Sequence, residues 1–436
     1  MKDDIKREYQ ARLTTAEAAA GQVKSGDNVY LGTCSSVAEA LCEALMDREG
    51  ELENVTVTSS NVLAPLRILR GETGTFRLNT YFMGAQERNM LRRGLCDFTT
   101  VHLREIEIFC RQTSVPDVAF LEVSPPDEDG YMSFGASGVI LHRFMADAAK
   151  TVILQVNRNA PYVYGEMNRI HVTEADAIVE ADRPIGEGRF QDPDDTVRRL
   201  SGLLLEQIPD GACIQLGIGN VATAVGFGLE QKNDLGIHSE LMSDSIMYLM
   251  KKGVANNSRK TFMPGKSVVG FTYGSRELYE FLDHNEDMYF MPFPRVNDID
   301  LIAKNDNMIS INTAMSADLF GQISADNITG RQFSGVGGQI DFVRGAQAAR
   351  GGKSFIAMTS TFLNRKGERQ SRIVPYFPPF TAVTTSRADV QYLATEYGCV
   401  NLKPLLMSDR VRAVISLAHP DYREELTDAA RAAGLL

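Results

Sequence analysis

The chain has no tryptophan, only six histidines and only six cysteines in 436 residues. Cys34, Cys42, Cys96, Cys110, Cys213 and Cys399 form no Cys-x-x-Cys pair, and no His-Glu-x-x-His occurs. That spacing fits neither a zinc site nor a disulfide framework. No metal is expected, and most thiols should be buried in a reducing compartment. Long apolar runs are missing as well. Thr151–Val156 is typical, far below the ~20 residues that cross a bilayer. Met1–Glu8 lacks the apolar core of a signal peptide, so a cytoplasmic protein without a membrane partner is expected. Excess positive charge is also absent. A net charge of −11 argues against nucleic acid as a partner, but a local field can still hold a small anionic ligand.

What is present is enough apolar material for two cores. The chain is 44% hydrophobic, and domains usually run about 100–200 residues. Residues 5–24 read as helix. Ser25–Gly32 reads as turn, strand, turn, followed by a helix over Val37–Met46 and a strand at Val55–Thr58. The same order returns further on. Gly26, Leu31 and Gly32 match Gly211, Leu216 and Gly217 at a constant offset, and each copy continues into an Ala/Val-rich helix and a second strand. A second echo pairs the strands Asp117–Val123 and Val152–Val156 with Met308–Asn312 and Phe355–Met358. Each pair encloses a loop and a Gly-rich turn, Phe134–Gly138 in one and Phe333–Gly338 in the other. The fold expected is α/β: two similar open lobes from an internal duplication, residues 1–190 and 191–436, linked near Pro184–Asp195.

The copies differ at the end of their second strand. The first offers Thr58-Ser59-Ser60 and the second His238-Ser239-Glu240. In open α/β sheets ligands bind at the carboxyl ends of strands, which puts the Gly217–Gly219 turn and Glu240 on one crevice. Two chemistries fit, beside a purely structural turn. Gly217-x-Gly219-x-x-Ala222 with an acid about 20 residues on is a dinucleotide pattern in which Glu240 would hold a ribose. Alternatively Glu240 reacts, and the glycines admit a phosphate- or thioester-bearing ligand to the backbone. His238 shares a strand face with Glu240 and reads as a packed or hydrogen-bonded histidine. The Gly335–Gly338 turn before an apolar helix can supply backbone donors to an oxyanion. Asn312 reads as a turn former or a polar contact, and Glu396 as a supporting acid or a surface ion pair. Ser371–Phe380 reads as loop, and Asp409–Leu436 as capping helices.

Taken together, Gly217-Ile218-Gly219-Asn220, His238–Asp244 and Phe333–Phe342 resemble the class I coenzyme A transferases of the acetyl-CoA hydrolase/transferase family. The resemblance runs through nearly the whole chain and includes Leu121–Asp127, Asn312–Gln322 and Val383–Gly398. It implies two lobes of the CoA-transferase type, with Glu240 as the nucleophile. It implies that Gly217, Ile218, Gly219, Asn220 and Val221 line the CoA site, and that Met315 and Gly338 approach the CoA. Met83–Arg93, the acyl-facing loop on this resemblance, matches least. The implied reaction moves CoA between a short-chain acyl-CoA, such as butyryl- or 4-hydroxybutyryl-CoA, and a carboxylate such as acetate. CoA is then substrate and covalent intermediate, and no tightly bound cofactor is needed. The alternatives are acyl-CoA hydrolysis by the same Glu240 and an NAD-dependent oxidoreductase. Assembly as a homo-oligomer is expected.

Overall fold

A computed structural model describes residues 1–72, 74–188, 192–328 and 330–436. The chain divides into two compact units. The first comprises Met1–Arg189, Met242–Asp244 and Val268–Val296, and the second comprises Phe190–Leu241, Ser245–Ser267 and Asn297–Leu436. The division expected at residues 190 and 191 falls on positions outside the described residues, as does part of the Pro184–Asp195 link. Among the described residues no helix is long and apolar enough to cross a membrane.

The first unit is built on seven parallel strands: β1 (Asn28–Thr33), β2 (Val55–Ser60), β3 (Phe76–Thr80), β4 (Cys96–Phe98), β5 (Val118–Val123), β6 (Thr151–Val156) and β7 (Ala177–Glu180). Their order is β7-β6-β5-β1-β2-β3-β4. Parallel strands covered on both faces read as continuous apolar runs, which is why Val118–Val123 is buried throughout. Val29, Leu31, Val57, Leu78 and Phe120 pack with Leu41 and Leu45 of the helix Glu39–Met46.

The direction of the strand order reverses at β1 and β5. Charged and polar side chains fill that edge. Arg183 pairs with Glu122 at 2.8 Å and donates to the carbonyls of Ser35 and Val37, while Asn157 donates to Glu122. Burial pushes the Glu122 carboxyl up to about 7, against the opposing pull of Arg183 and Asn157.

In the second unit, β8 (Cys213–Leu216), β9 (Gly236–Met242), β10 (Met308–Thr313), β11 (Lys353–Ala357), β12 (Tyr392–Thr395) and β13 (Gly398–Asn401) follow the order β9-β8-β10-β11-β12-β13. All neighbours are parallel except the last pair. Here the order reverses between β8 and β10. Three helices flank the site: α1 (Asn220–Gly228), α2 (Ile299–Ala303) and α3 (Gln339–Ala348). Phe342 and Ala346 of α3 pack with Cys213, Ile302 and Met308, fixing α3 against the strands that carry the site.

Several expectations need correction. Residues 5–24 are two helices, Asp3–Arg12 and Ala16–Ala20. Between them the Thr14 N–H leaves the helical ladder to bond the carbonyl of Ile178, and Thr15 caps the second helix on Ala18 N. Met83–Arg93 is not a loop but carries the helix Ala85–Arg92, whose Glu87 carboxylate returns to the Gly84 N–H. The helix expected from Val37 starts at Glu39, because Ser36–Val37 pairs with β1. Ser371–Phe380 contains the short strand Ile373–Val374. The cysteines are free thiols, five of them buried.

Candidate active site

The crevice between β8 and β10 is organised by backbone contacts. Gly217 N–H donates to the carbonyl of Ile311 at 2.8 Å, which ties the turn after β8 to β10. A side chain at Gly217 would press on Asn312, its Cβ 3.0 Å from Oδ1. Gly219 caps α1 with φ at +124°, a conformation that glycine tolerates. Ile218 and Asn220 are exposed there and Val221 is buried. Thr313 Oγ1 donates to the carbonyl of Ile218 at 3.1 Å. First-turn N–H groups of a helix have no intrahelical acceptor, and the macrodipole favours an anion beside them. Asn312 neither turns the chain nor faces the crevice freely. Next to last in β10, it forms a two-way amide pair with Gln215 of β8, at 3.1 and 3.2 Å.

Glu240 lies inside β9, two residues before its end, because the strand runs on to Met242. It is the one half-buried residue of an otherwise buried strand. Its Oε2 accepts a hydrogen bond from Asn297 Nδ2 at 2.7 Å. The second hydrogen of that amide reaches Asp341 Oδ2, with the nitrogen 3.3 Å away. Asn297 and Asp341 are 0% and 1% exposed. The turn at Gly338 closes the other side: a Cβ built there would lie on Glu240 Oε2 and Asn297 Nδ2. Only a residue without a side chain lets the carboxylate occupy this position.

Burial raises the Glu240 pKa to about 7. The Asn297 hydrogen bond pulls it down, and the charge of Asp341 pushes it further up. A carboxylate with a raised pKa is more basic, and in its ionised form more nucleophilic, than a solvated one. His238, two positions back, is fully buried and bonded through Nδ1 to Asn305 Nδ2 at 3.0 Å, as expected of a packed histidine. Asn297 and Asn305 thus bracket α2 and tie it to alternate residues of β9.

The structure brings Glu240 and Gly338 into contact, and it sets Gly217, Ile218, Gly219, Asn220 and Val221 at the strand-order reversal. Met315 follows β10. Its N–H donates to the carbonyl of Ser324, and its carbonyl accepts from Arg372. Glu396 is neither exposed nor part of this group: it is buried and accepts from the backbone N–H of Ser360. Asn297 is absent from the sequence-derived candidates. Asn297-Asp298 reads only as a helix start, and Asp298 does cap α2 on Leu301 N.

The comparisons with known proteins bear on what this carboxylate does. Residues 1–186 match the acetyl-CoA hydrolase/transferase N-terminal domain, and residues 274–430 match the C-terminal domain of the same family. The chain belongs to the acetyl-CoA hydrolase/transferase family. It is 38% identical to a butyryl-CoA:acetate CoA-transferase of Anaerostipes caccae, over 97% of this chain and 96% of the relative. It is 39% identical to a 4-hydroxybutyrate coenzyme A transferase of Clostridium kluyveri, over 96% and 97% of the two chains. The crystal structure of RipA from Yersinia pestis aligns over the full length of both chains with a TM-score of 0.93 and 36% identity. The open α/β sheets are therefore of the CoA-transferase type. Family membership removes the dinucleotide reading of Gly217–Ala222, which also gave no role to Gly338 beside Glu240.

Proposed function

We propose that this member of the family transfers CoA from a short-chain acyl-CoA, butyryl- or 4-hydroxybutyryl-CoA, to acetate through a thioester on Glu240. The observation that carries the reading is the Glu240 carboxylate held between the Asn297 amide and the side-chain-free Gly338 turn. The relatives that are similar end to end act, by their names, on butyryl-CoA with acetate or on 4-hydroxybutyrate.

Ionised Glu240 attacks the thioester carbonyl. The C–S bond breaks and CoA leaves as thiolate, giving a mixed anhydride. The thiolate then adds to the glutamyl carbonyl, and the acyl group departs as its carboxylate. Acetate enters, and the steps run in reverse to acetyl-CoA. This is covalent catalysis that divides a difficult exchange into easier ones. On this reading the Asn297 amide and backbone N–H groups of the Gly338 turn donate to oxyanions at the glutamyl carbon, the largest class of catalytic stabilisation. Gly217, Ile218, Gly219, Asn220 and Val221 would line the CoA, with Met315 and Gly338 near its thiol end. Contacts to distant parts of CoA can be realised in the transition state and lower its barrier.

The test uses the wild-type chain. Acyl-CoA followed by borohydride should inactivate it and place a reduced mass on the peptide Gly236–Met242, at Glu240. Borohydride alone should not. With butyryl-CoA and acetate the product should be acetyl-CoA. Free CoA formed at a rate indifferent to acetate would make the enzyme a hydrolase, and a label elsewhere would remove Glu240 as carrier.

A further inference from the structure

We infer that Asp341 is a positioning residue that keeps the Asn297 amide aimed at the Glu240 carboxyl group throughout the reaction. The inference rests on the nucleophilic role proposed for Glu240. Asn297 Nδ2 has two hydrogens and spends both on carboxylates, Glu240 at 2.7 Å and Asp341 at 3.3 Å. Its Oδ1 is buried with no hydrogen-bond partner among the described residues. A flipped amide would turn that oxygen onto both carboxylates, so their charges fix the orientation that is otherwise ambiguous for an asparagine.

In the free enzyme Glu240 could set that orientation itself. It cannot once it has become an anhydride or a thioester, because it then carries no charge and is a weaker acceptor. Asp341 keeps its carboxylate in every intermediate. When the thiolate adds to the glutamyl carbonyl, a C–S bond forms and the C=O pair moves to oxygen. Asn297 still points an N–H at that oxyanion. Collapse then expels the acyl carboxylate with its C–O bonding pair.

Asp341 is suited to stay put. It lies in the first turn of α3, where unpaired N–H groups and the macrodipole favour a negative charge. Its neighbour Phe342 is locked in the core. Arg344 feels the Asp341 charge from the next turn but is committed to Asp389 at 2.9 Å. The groups facing Glu240 are Asp341 from α3, Asn297 ahead of α2 and the Gly338 turn, with His238 on its own strand held by Asn305. Asp341 therefore has a second signature: removing its charge makes Glu240 easier to ionise.

The experiment compares wild type, Asp341→Asn, Asn297→Ala and the double variant, with Asp341→Ser in place of Asp341→Asn if the latter does not fold. Steady-state rates are read across pH, and glutamyl-CoA formation by quench-flow and intact mass. Asp341→Asn should lower kcat by about 10-fold or more, up to the roughly 100-fold at which outright loss of one oxyanion donor begins. KM for acyl-CoA should hardly change, and the acid limb should move to lower pH. In the Asn297→Ala background the same substitution should cost little further rate, as for residues acting through one another. Unchanged kcat and pH profile would overturn the inference. So would a rate loss with an unmoved acid limb, or losses that simply add. Absence of glutamyl-CoA in wild type would instead strike the proposed function itself.

Discussion

Gly338→Ala separates a catalytic requirement for glycine from a structural one. Gly338 has φ −100° and ψ 11°, which an L residue can adopt. The nearest neighbours of the new methyl are the side-chain tips of Glu240 and Asn297. Both can swing away, so the fold should tolerate the change. The lower chain entropy of alanine offsets part of any repacking, by about 0.4–1 kcal/mol. The carboxylate, however, must move by about 1 Å or more to reach van der Waals distance, and a displacement of that size can cost roughly 100-fold in rate. This corresponds to about 2.7 kcal/mol of lost transition-state stabilisation. The assay is kcat/KM for butyryl-CoA with saturating acetate, beside a thermal melt and the borohydride trap. Melting should stay within a few degrees of wild type while kcat/KM falls about 100-fold. A folded Gly338→Ala enzyme with wild-type kcat/KM would refute the placement of Glu240 against this turn.

Two further outcomes follow from buried carboxyls. The folded Glu240 pKa of about 7 lies above its ordinary 4.5, so the folded state binds the proton more tightly and stability falls as pH rises through that interval. Glu240→Gln should therefore abolish exchange yet melt higher than wild type at pH 8, with the gap closing toward pH 5; an equal or lower melt at pH 8 would contradict this. Arg183→Ala strands Glu122 beside Asn157 in the first unit and should destabilise by about 3–5 kcal/mol. A urea midpoint close to wild type would show that the pair contributes little.

Strands β5, β6, β8 and β10 were legible because continuous apolar runs flanked by turn residues have few other uses. The offset between Gly26 and Gly211 exposed the repeat, and both glycines do take positive φ, +85° and +71°. Glu240 stood out as a carboxylate at a strand end where the other copy has Ser60, a buried hydroxyl bonded to Thr80. The partners of Glu240 were not legible in the same way. Asn297 lies 57 residues away, in a segment whose local pattern says only that a helix begins. Asp341 was within a noticed stretch, but its use depends on which way α3 turns when Phe342 packs. Glu396 reads as a supporting acid or a surface ion pair, and its burial depends on Ser360, 36 residues back, which supplies its donor. Single residues announce local geometry, whereas pairings distant in sequence depend on the assembled core.

The path of the chain has a consequence for how the molecule can be made. Residues 242–244 and 268–296 belong to the first compact unit, although the chain has already entered the second at residue 190. Glu240 lies two residues before the first of these returns. An N-terminal unit emerging from the ribosome consequently lacks part of itself until residue 296 has been synthesised, and its first 189 residues wait with unfinished apolar surface. Domains that are continuous in sequence can fold one after another during synthesis; this one cannot. A single cut after residue 189 leaves the C-terminal fragment with all of the second unit and the N-terminal fragment without two segments of the first. Residues 1–189 expressed alone should thus be aggregation-prone, and a split form of the enzyme would need its break elsewhere than at this boundary.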